Sequence, residues 1–358
     1  MKKIILVLFI LLAINLFSIL YVADGTASYE KFETSYNLEH IGHNYVMTGE
    51  DFTNVPFTKN CTTIGFANGN NTVARGIVTS KTDNRIEFCA NTNAEINADS
   101  FFMQVSRGHA LWCRNILISE SGSNPDDVYV GTIGYQFNLI GVAIPFGIEI
   151  VSISQSGMND NSNKYYGFAF TEAGILVIQA HGNNRHELYD YTTYIGDIVT
   201  VSYCSGTETN KGSYGDGLEF LIQYATTQSQ ATQIFAGMVY KLHEETGKSW
   251  NEIRTALKET ASENGDWNSM EGYGYVNYNL ALAELMATLN EYIIVINKYE
   301  YHWFRDWKEF SWGGNDYVFP LVTRHKSRAL ICNDINDLKY PFSFIQKYYP
   351  SAYPIKIK

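Results

Sequence analysis

The chain is short of proline, short of cysteine and short of charge: 358 residues hold seven Pro, five Cys and 18% Asp, Glu, Lys and Arg together. Cys61, Cys89, Cys113, Cys204 and Cys332 lie far apart with no Cys-x-x-Cys, which argues against a zinc site, and their odd number leaves at least one unpaired within a monomer. Basic residues are outnumbered. The net charge of −11 and a pI near 5.2, with no basic cluster, exclude a phosphate-binding surface and with it a nucleic-acid partner. Gly-x-Ser-x-Gly is missing too, since Ser154 and Ser156 in VSISQSG do not sit in it, and the nucleophile elbow of α/β-hydrolases goes with it. His40-Ile-Gly-His43 offers two imidazoles without a third ligand at metal spacing, so it reads as a loop.

What is present starts with an apolar run. Met1-Lys2-Lys3 is followed by IILVLFILLAINLFSILYVA, interrupted only by Asn15 and Ser18. Residues 1–23 read as an export signal, either a cleaved signal peptide or an uncleaved anchor close to the ~20 residues that span a bilayer. Either way the bulk of the chain is expected outside the cytoplasm, with the membrane touched only through that anchor. Residues 24–61 read as an extended lead-in. Asn60-Cys61-Thr62 and Asn70-Asn71-Thr72 are formal glycosylation sequons, a pattern short enough to match by chance.

From Thr62 onward, strands and helices alternate. TTIGFA, TVARGIV, RIEFC, DDVYVGTIG, IEIVSIS, GILVIQA, DIVTVSY and LEFLIQYA read as strands, while NLIGVAIPFG, GFAFTEAG and residues 232–245 read as helices; HALWCRNILI is apolar enough for either. Ser249-Trp250-Asn251-Glu252 is a capping box opening another helix. With 26 Tyr and 20 Phe to fill an interior, the pattern predicts an α/β chain with a doubly wound, mostly parallel sheet and helices on both faces. Residues 288–358, rich in Tyr, Trp and Phe with a Gly313-Gly314 turn, read as a small strand-rich appendage.

GILVIQAHGNN is the most telling stretch. A β-branched apolar run ending in Gly182-Asn183 puts an amide donor at the carboxyl end of a buried parallel strand, where open α/β sheets place their chemistry. An Asn there suits a developing oxyanion. The order of the surrounding pieces resembles the subtilisin-like serine proteases. IEIVSISQSG resembles the family's substrate-lining strand, TTQSQATQIFAGMVYKL its nucleophile motif and helix, and EGYGYVNYNLALA its closing Gly-x-Gly-x-Val-Asn signature. The resemblance covers residues 62–287.

That resemblance implies roles. Ser229 takes the nucleophile position, with Ala231, Ala236 and Gly237 at the family spacing, although Thr227, Gln228 and Gln233 stand where the family has Gly, Thr and Pro. His109, before ALWCRNILIS, takes the general-base position, and Asn183 the oxyanion position. Ser154, Gln155, Ser156 and Gly157 would bind substrate backbone. The third triad member is unsettled: TTIGFANGNN puts Asn68 in the acid's position, whereas TVARGIVTSK puts Val78 there with Asp83 some residues late. Neither supplies Asp-x-Gly, and a neutral group there weakens the base. Two expectations therefore stand: a secreted or membrane-anchored subtilisin-like endopeptidase acting on peptide or protein, or an inactive subtilase-like domain that binds a peptide or protein partner. The resemblance requires no cofactor and leaves calcium open.

Overall fold

In the computed structural model the described residues are 18–32, 35–132, 137–154, 169–182, 187–188, 198–204 and 212–287, with strand backbone at 292–297, 302–312, 315–323, 331–332 and 353–356. The described residues divide into two compact units, one falling within 18–237 and 266–275, the other within 238–265 and from 276 on.

The first unit opens on β1 (Ile19–Ala23), whose Leu20, Tyr21 and Val22 are wholly buried. Next come seven strands of another sheet: β2 (Ala27–Phe32), β3 (Tyr36–Ile41), β4 (Asn44–Gly49), β5 (Thr62–Asn68), β6 (Asn71–Lys81), β7 (Arg85–Ala90) and β8 (Ser100–Ser106). They are antiparallel in the order β2-β8-β5-β6-β7-β4-β3. The chain then returns through α1 (His109–Ser121), β9 (Val128–Gly131), α2 (Phe137–Phe146), β10 (Ile148–Ile153), β11 (Leu176–Ala180), β12 (Glu187–Leu188), β13 (Ile198–Cys204), β14 (Tyr214–Gly215), β15 (Phe220–Gln223) and the start of α3 (Gln228–Thr246).

The central sheet is parallel throughout, in the order β15-β13-β11-β10-β1-β9. Its strands are runs of Val, Ile and Leu because both faces are covered; every residue of β11 and β13 is buried. Leu139, Val142 and Ala143 of α2 pack with Tyr21, Ile148, Val151 and Val177 against this sheet. The expected α/β fold with a parallel sheet is what the chain forms.

Three expectations need correction. The apolar run does not end as an export segment: residues 19–23 are the strand between β9 and β10, while residues 1–17 lie outside the described residues. A central parallel strand and a signal core are both continuous apolar runs, so composition alone does not separate them. No helix among the described residues is long and apolar enough to cross a membrane. The lead-in at 24–61 carries β2, β3 and β4. And the strands from TTIGFA to RIEFC belong to the antiparallel sheet, built on its own aromatic core of Tyr45, Phe52, Phe66, Phe88 and Phe101. That core and its neighbours bury β5 on both faces, which erases the alternation expected of an antiparallel strand.

Gly272, at φ +63°, lets the Gly-x-Gly turn ride on the start of β15; a Cβ there would stand 2.5 Å from the Glu219 carbonyl oxygen. In the second unit Ser249 opens α4 (Trp250–Thr260) with the expected capping box, followed by α5 (Tyr278–Ala287). Strands β16 (Tyr292–Asn297), β17 (His302–Trp312), β18 (Asn315–Thr323), β19 (Ile331–Cys332) and β20 (Tyr353–Lys356) pair antiparallel.

Gly237 of α3 meets the end of α1, where a Cβ would stand 2.5 Å from Glu120 Cβ and 2.8 Å from the Ser121 nitrogen. Ala normally gains about 0.5–1 kcal/mol over Gly inside a helix. Here overpacking, at about 1–3 kcal/mol, outweighs that gain. Gly237→Ala should therefore lower stability in urea unfolding, and a gain would show that the two helices do not touch at this point.

Candidate active site

β1 delivers Asp24 to the carboxyl edge of the parallel sheet. Its amide donates to the Gly131 carbonyl oxygen at 3.1 Å, continuing the ladder with β9, and its Oδ1 accepts the Thr26 amide at 2.8 Å. The other oxygen, Oδ2, takes His109 Nδ1 at 2.7 Å and the Ser154 hydroxyl at 2.6 Å. The Asp24 side chain is only 2% exposed, against 44% for His109. Burial pushes this carboxyl up, but the donors from Ser154, Thr26 and His109 outweigh it and hold the group below its ordinary 3.8.

His109 is the first residue of α1, after Gly108 at φ +51°. With Nδ1 occupied by Asp24, Nε2 is left for other work. Its neighbours on the helix are Trp112, ring centroid 5.4 Å away, and Cys113, whose sulfur lies 3.8 Å from Nδ1 and 3.9 Å from Nε2. Burial, reinforced by the Asp24 charge, pushes the Cys113 thiol up to about 12. Cys113 is thus a thiol at neutral pH and no nucleophile.

Ser229 lies in the first turn of α3, 4% exposed, and its hydroxyl donates to the Ser154 carbonyl oxygen at 3.0 Å. Among the described residues that is its hydrogen bond; it is not on His109. Ser154 therefore touches both ends of the site, its hydroxyl on Asp24 and its carbonyl under Ser229. The three departures at the start of α3 each have a structural job. Thr227 caps the helix, its Oγ1 accepting the Gln230 amide at 3.2 Å. Gln228 donates to Ser202 Oγ at 2.6 Å and accepts the His181 amide at 3.2 Å, and Gln233 accepts the Ser152 hydroxyl at 2.9 Å. Two buried amides thus tie α3 to the strand ends.

The carboxylate on His109 is that of Asp24, and none of the residues the sequence suggests for that place stands there. Asn68 ends β5 in the antiparallel sheet, exposed, with Nδ2 donating to the Asn97 carbonyl at 3.0 Å and Oδ1 accepting the Asp99 amide at 2.9 Å. Val78 is buried in that sheet's core, and Asp83 holds the Phe52 amide through its carbonyl. Asp24 was hidden because it directly follows the apolar run; its signal was the Asp-Gly-Thr turn at the end of ILYVA. Ser154 is described, but Gln155, Ser156, Gly157 and Asn183 lie outside the described residues. His181, just before Gly182, is buried, and burial drives its ring down to about 4 against a hydrogen bond to the Tyr214 backbone, so it stays neutral at physiological pH. Asn60 is also buried, its amide on the Pro125 and Asp126 carbonyls, a poor glycan acceptor. His40 and His43 each bond a backbone carbonyl oxygen.

No protein-family model matches the sequence, and no curated protein does. Among solved structures the chain is similar to the prenylagaramide maturation protease PagA, at 18% identity over 41% of this chain and 65% of that one, TM-score 0.34. It is similar also to the self-cleaved protease domain of PatA (15%, 46% and 76%, TM-score 0.36) and to the PatG macrocyclase in complex with a peptide (17%, 45% and 61%, TM-score 0.36). The aligned region thus spans less than two thirds of the PagA and PatG structures. Asp24, His109, Ser154 and Ser229 follow β1, open α1, follow β10 and lie in the first turn of α3, in that order along the chain. The fold itself is an α/β one, with a six-stranded parallel sheet beside a seven-stranded antiparallel sheet.

Because the Asp24 carboxyl is depressed in the folded state, it contributes stability above its unfolded value near 3.8 that is lost as pH falls through the lower folded value. Asp24→Asn should flatten the loss of stability below pH about 4, measured by urea unfolding at pH 6 and pH 3. An acid limb as steep as in the wild type would remove Asp24 from that linkage.

Proposed function

We propose that this chain is a serine endopeptidase working through an acyl-enzyme, with Ser229 as nucleophile, His109 as base then acid, and Asp24 as the group that orients His109. The observation that carries the proposal is the buried Asp24 carboxylate on His109 Nδ1 at 2.7 Å, at the sheet edge where Ser229 opens its helix. With Nδ1–H committed to Asp24, the lone pair of the imidazole sits on Nε2, on a side chain that is 44% exposed. Rotation of the Ser229 hydroxyl off the Ser154 carbonyl toward Nε2 readies it for attack. Its proton passes to Nε2 as the Oγ–carbon bond forms, and Nε2 returns it to the leaving amine. The Ser229 amide, at the positive end of α3, and Asn183 would hold the oxyanion. A peptide or protein is the substrate, laid along the segment after Ser154.

The inactive-binder alternative rested on a missing acid, and the Asp24 carboxylate on His109 speaks against it. Its remaining support is the Ser229 hydroxyl resting on Ser154.

A fluorophosphonate probe separates the two readings: it should phosphonylate the Ser229 hydroxyl with loss of fluoride in the wild type and fail on Ser229→Ala and His109→Ala. Folded protein that never labels would favour the binder. On a peptide substrate Asp24→Asn should lower turnover by up to ~10⁴, a magnitude borrowed from the well-known serine-protease case. Asn68→Asp and Asn68→Ala should leave turnover within a few-fold of wild type. A large effect at Asn68 with none at Asp24 would return the acid to the antiparallel sheet.

A further inference from the structure

One helical turn separates His109 from Cys113, so the two side chains stand together on α1 beside the end of β1. The sulfur is within 3.9 Å of both ring nitrogens, Asp24 Oδ2 is 2.7 Å from Nδ1, and one ligand atom from each of the three residues lies within 4.8 Å of the others. Carboxylate and thiol are buried while the imidazole is the open side. The peptidase reaction gives Cys113 nothing to do.

We propose that Asp24, His109 and Cys113 form a site for a soft divalent cation of the zinc type, and that occupying it switches the peptidase off. The donor set is one thiolate, one imidazole and one carboxylate, which zinc accepts in a tetrahedron with one position open. Calcium and magnesium, which ask for six or more oxygens, do not fit it. Bonds of ~2.0–2.3 Å put neighbouring donors ~3.3–3.6 Å apart. The nitrogen–sulfur separation is already close to that, and a small turn of the half-exposed His109 ring would widen the nitrogen–oxygen one. The Ser154 hydroxyl, 2.6 Å from Asp24 Oδ2, or a water takes the fourth position. Nothing is oxidised or reduced. The Cys113 thiol proton leaves to solvent as the metal–sulfur bond forms, and the proton on Nδ1 is exchanged through solvent to Nε2 as the metal–nitrogen bond forms. A proton on Nε2 is what stops His109 from accepting that of Ser229.

The binding half of the proposal is independent of the peptidase reading; the inhibitory half rests on it. Cobalt(II) titrated into the full chain should give the near-ultraviolet sulfur-to-metal charge-transfer band, displaced by zinc and lost in Cys113→Ser and Cys113→Ala with circular dichroism unchanged. No band on the folded wild type, or a band that survives both variants, overturns the site. Zinc should suppress fluorophosphonate labelling of wild-type Ser229, because a base protonated on Nε2 cannot take the Ser229 proton, with recovery on adding a chelator. Cys113→Ser should label at one rate with and without zinc. Wild type that labels equally with zinc overturns the inhibition while leaving the site; wild type that never labels overturns the peptidase reading and its inhibition together, and the cobalt band still decides the site.

Discussion

A buried carboxylate must be satisfied by donors, and around Asp24 that demand organises the site. Its two oxygens take the Thr26 amide, the Ser154 hydroxyl and His109, which draws together the end of β1, the end of β10 and the first turn of α1. Removing any one donor leaves a desolvated charge under-served, a loss of ~1–3 kcal/mol or more for a charged group. The same Ser154 that serves Asp24 also carries the resting Ser229 hydroxyl on its carbonyl. A single residue after β10 thus sets the position of both Asp24 and Ser229, while β11, β13 and the two buried glutamines of α3 hold the rest of the edge in register.

Asp24 and His109 are 85 residues apart, with a complete antiparallel sheet between them. That sheet is zipped at its root. Ala27 pairs with Ser106, and the Arg107 amide donates to the Thr26 carbonyl at 2.9 Å, so the strand that leaves Asp24 and the strand that arrives at His109 are neighbours in one ladder. The long excursion therefore costs the site no positional freedom; for the Asp–His pair it acts as a two-stranded clasp, whatever the remaining strands do.

How much of this was legible in the sequence follows from how local each signal is. Caps and helical stripes are local: the Ser249 capping box and the helix over 232–245 stand where the residues say, and HALWCRNILI, open to either reading, is a helix. Strands buried on both faces show themselves as strands but not as members of a particular sheet, and TTIGFAN lost its sheet for that reason. Asn68 went with it. Asp24 was missed because β1 shares its composition with a signal core, and what distinguishes them is a pairing with β9 and β10 that no short window contains. The His109–Cys113 pair was in plain view, but its third ligand comes from the far side of the antiparallel sheet, so cysteine spacing alone could not disclose it.

The place of β1 has a consequence for how the chain comes together in time. It is the first strand among the described residues and lies in the interior of the parallel sheet, with both its partners made roughly a hundred residues later. During synthesis the antiparallel sheet, whose strands are mostly near neighbours in sequence, is complete while ILYVA still waits with both edges unpaired. Asp24 at its tip gains the Ser154 hydroxyl only when β10 closes over it, so the site is completed late in folding.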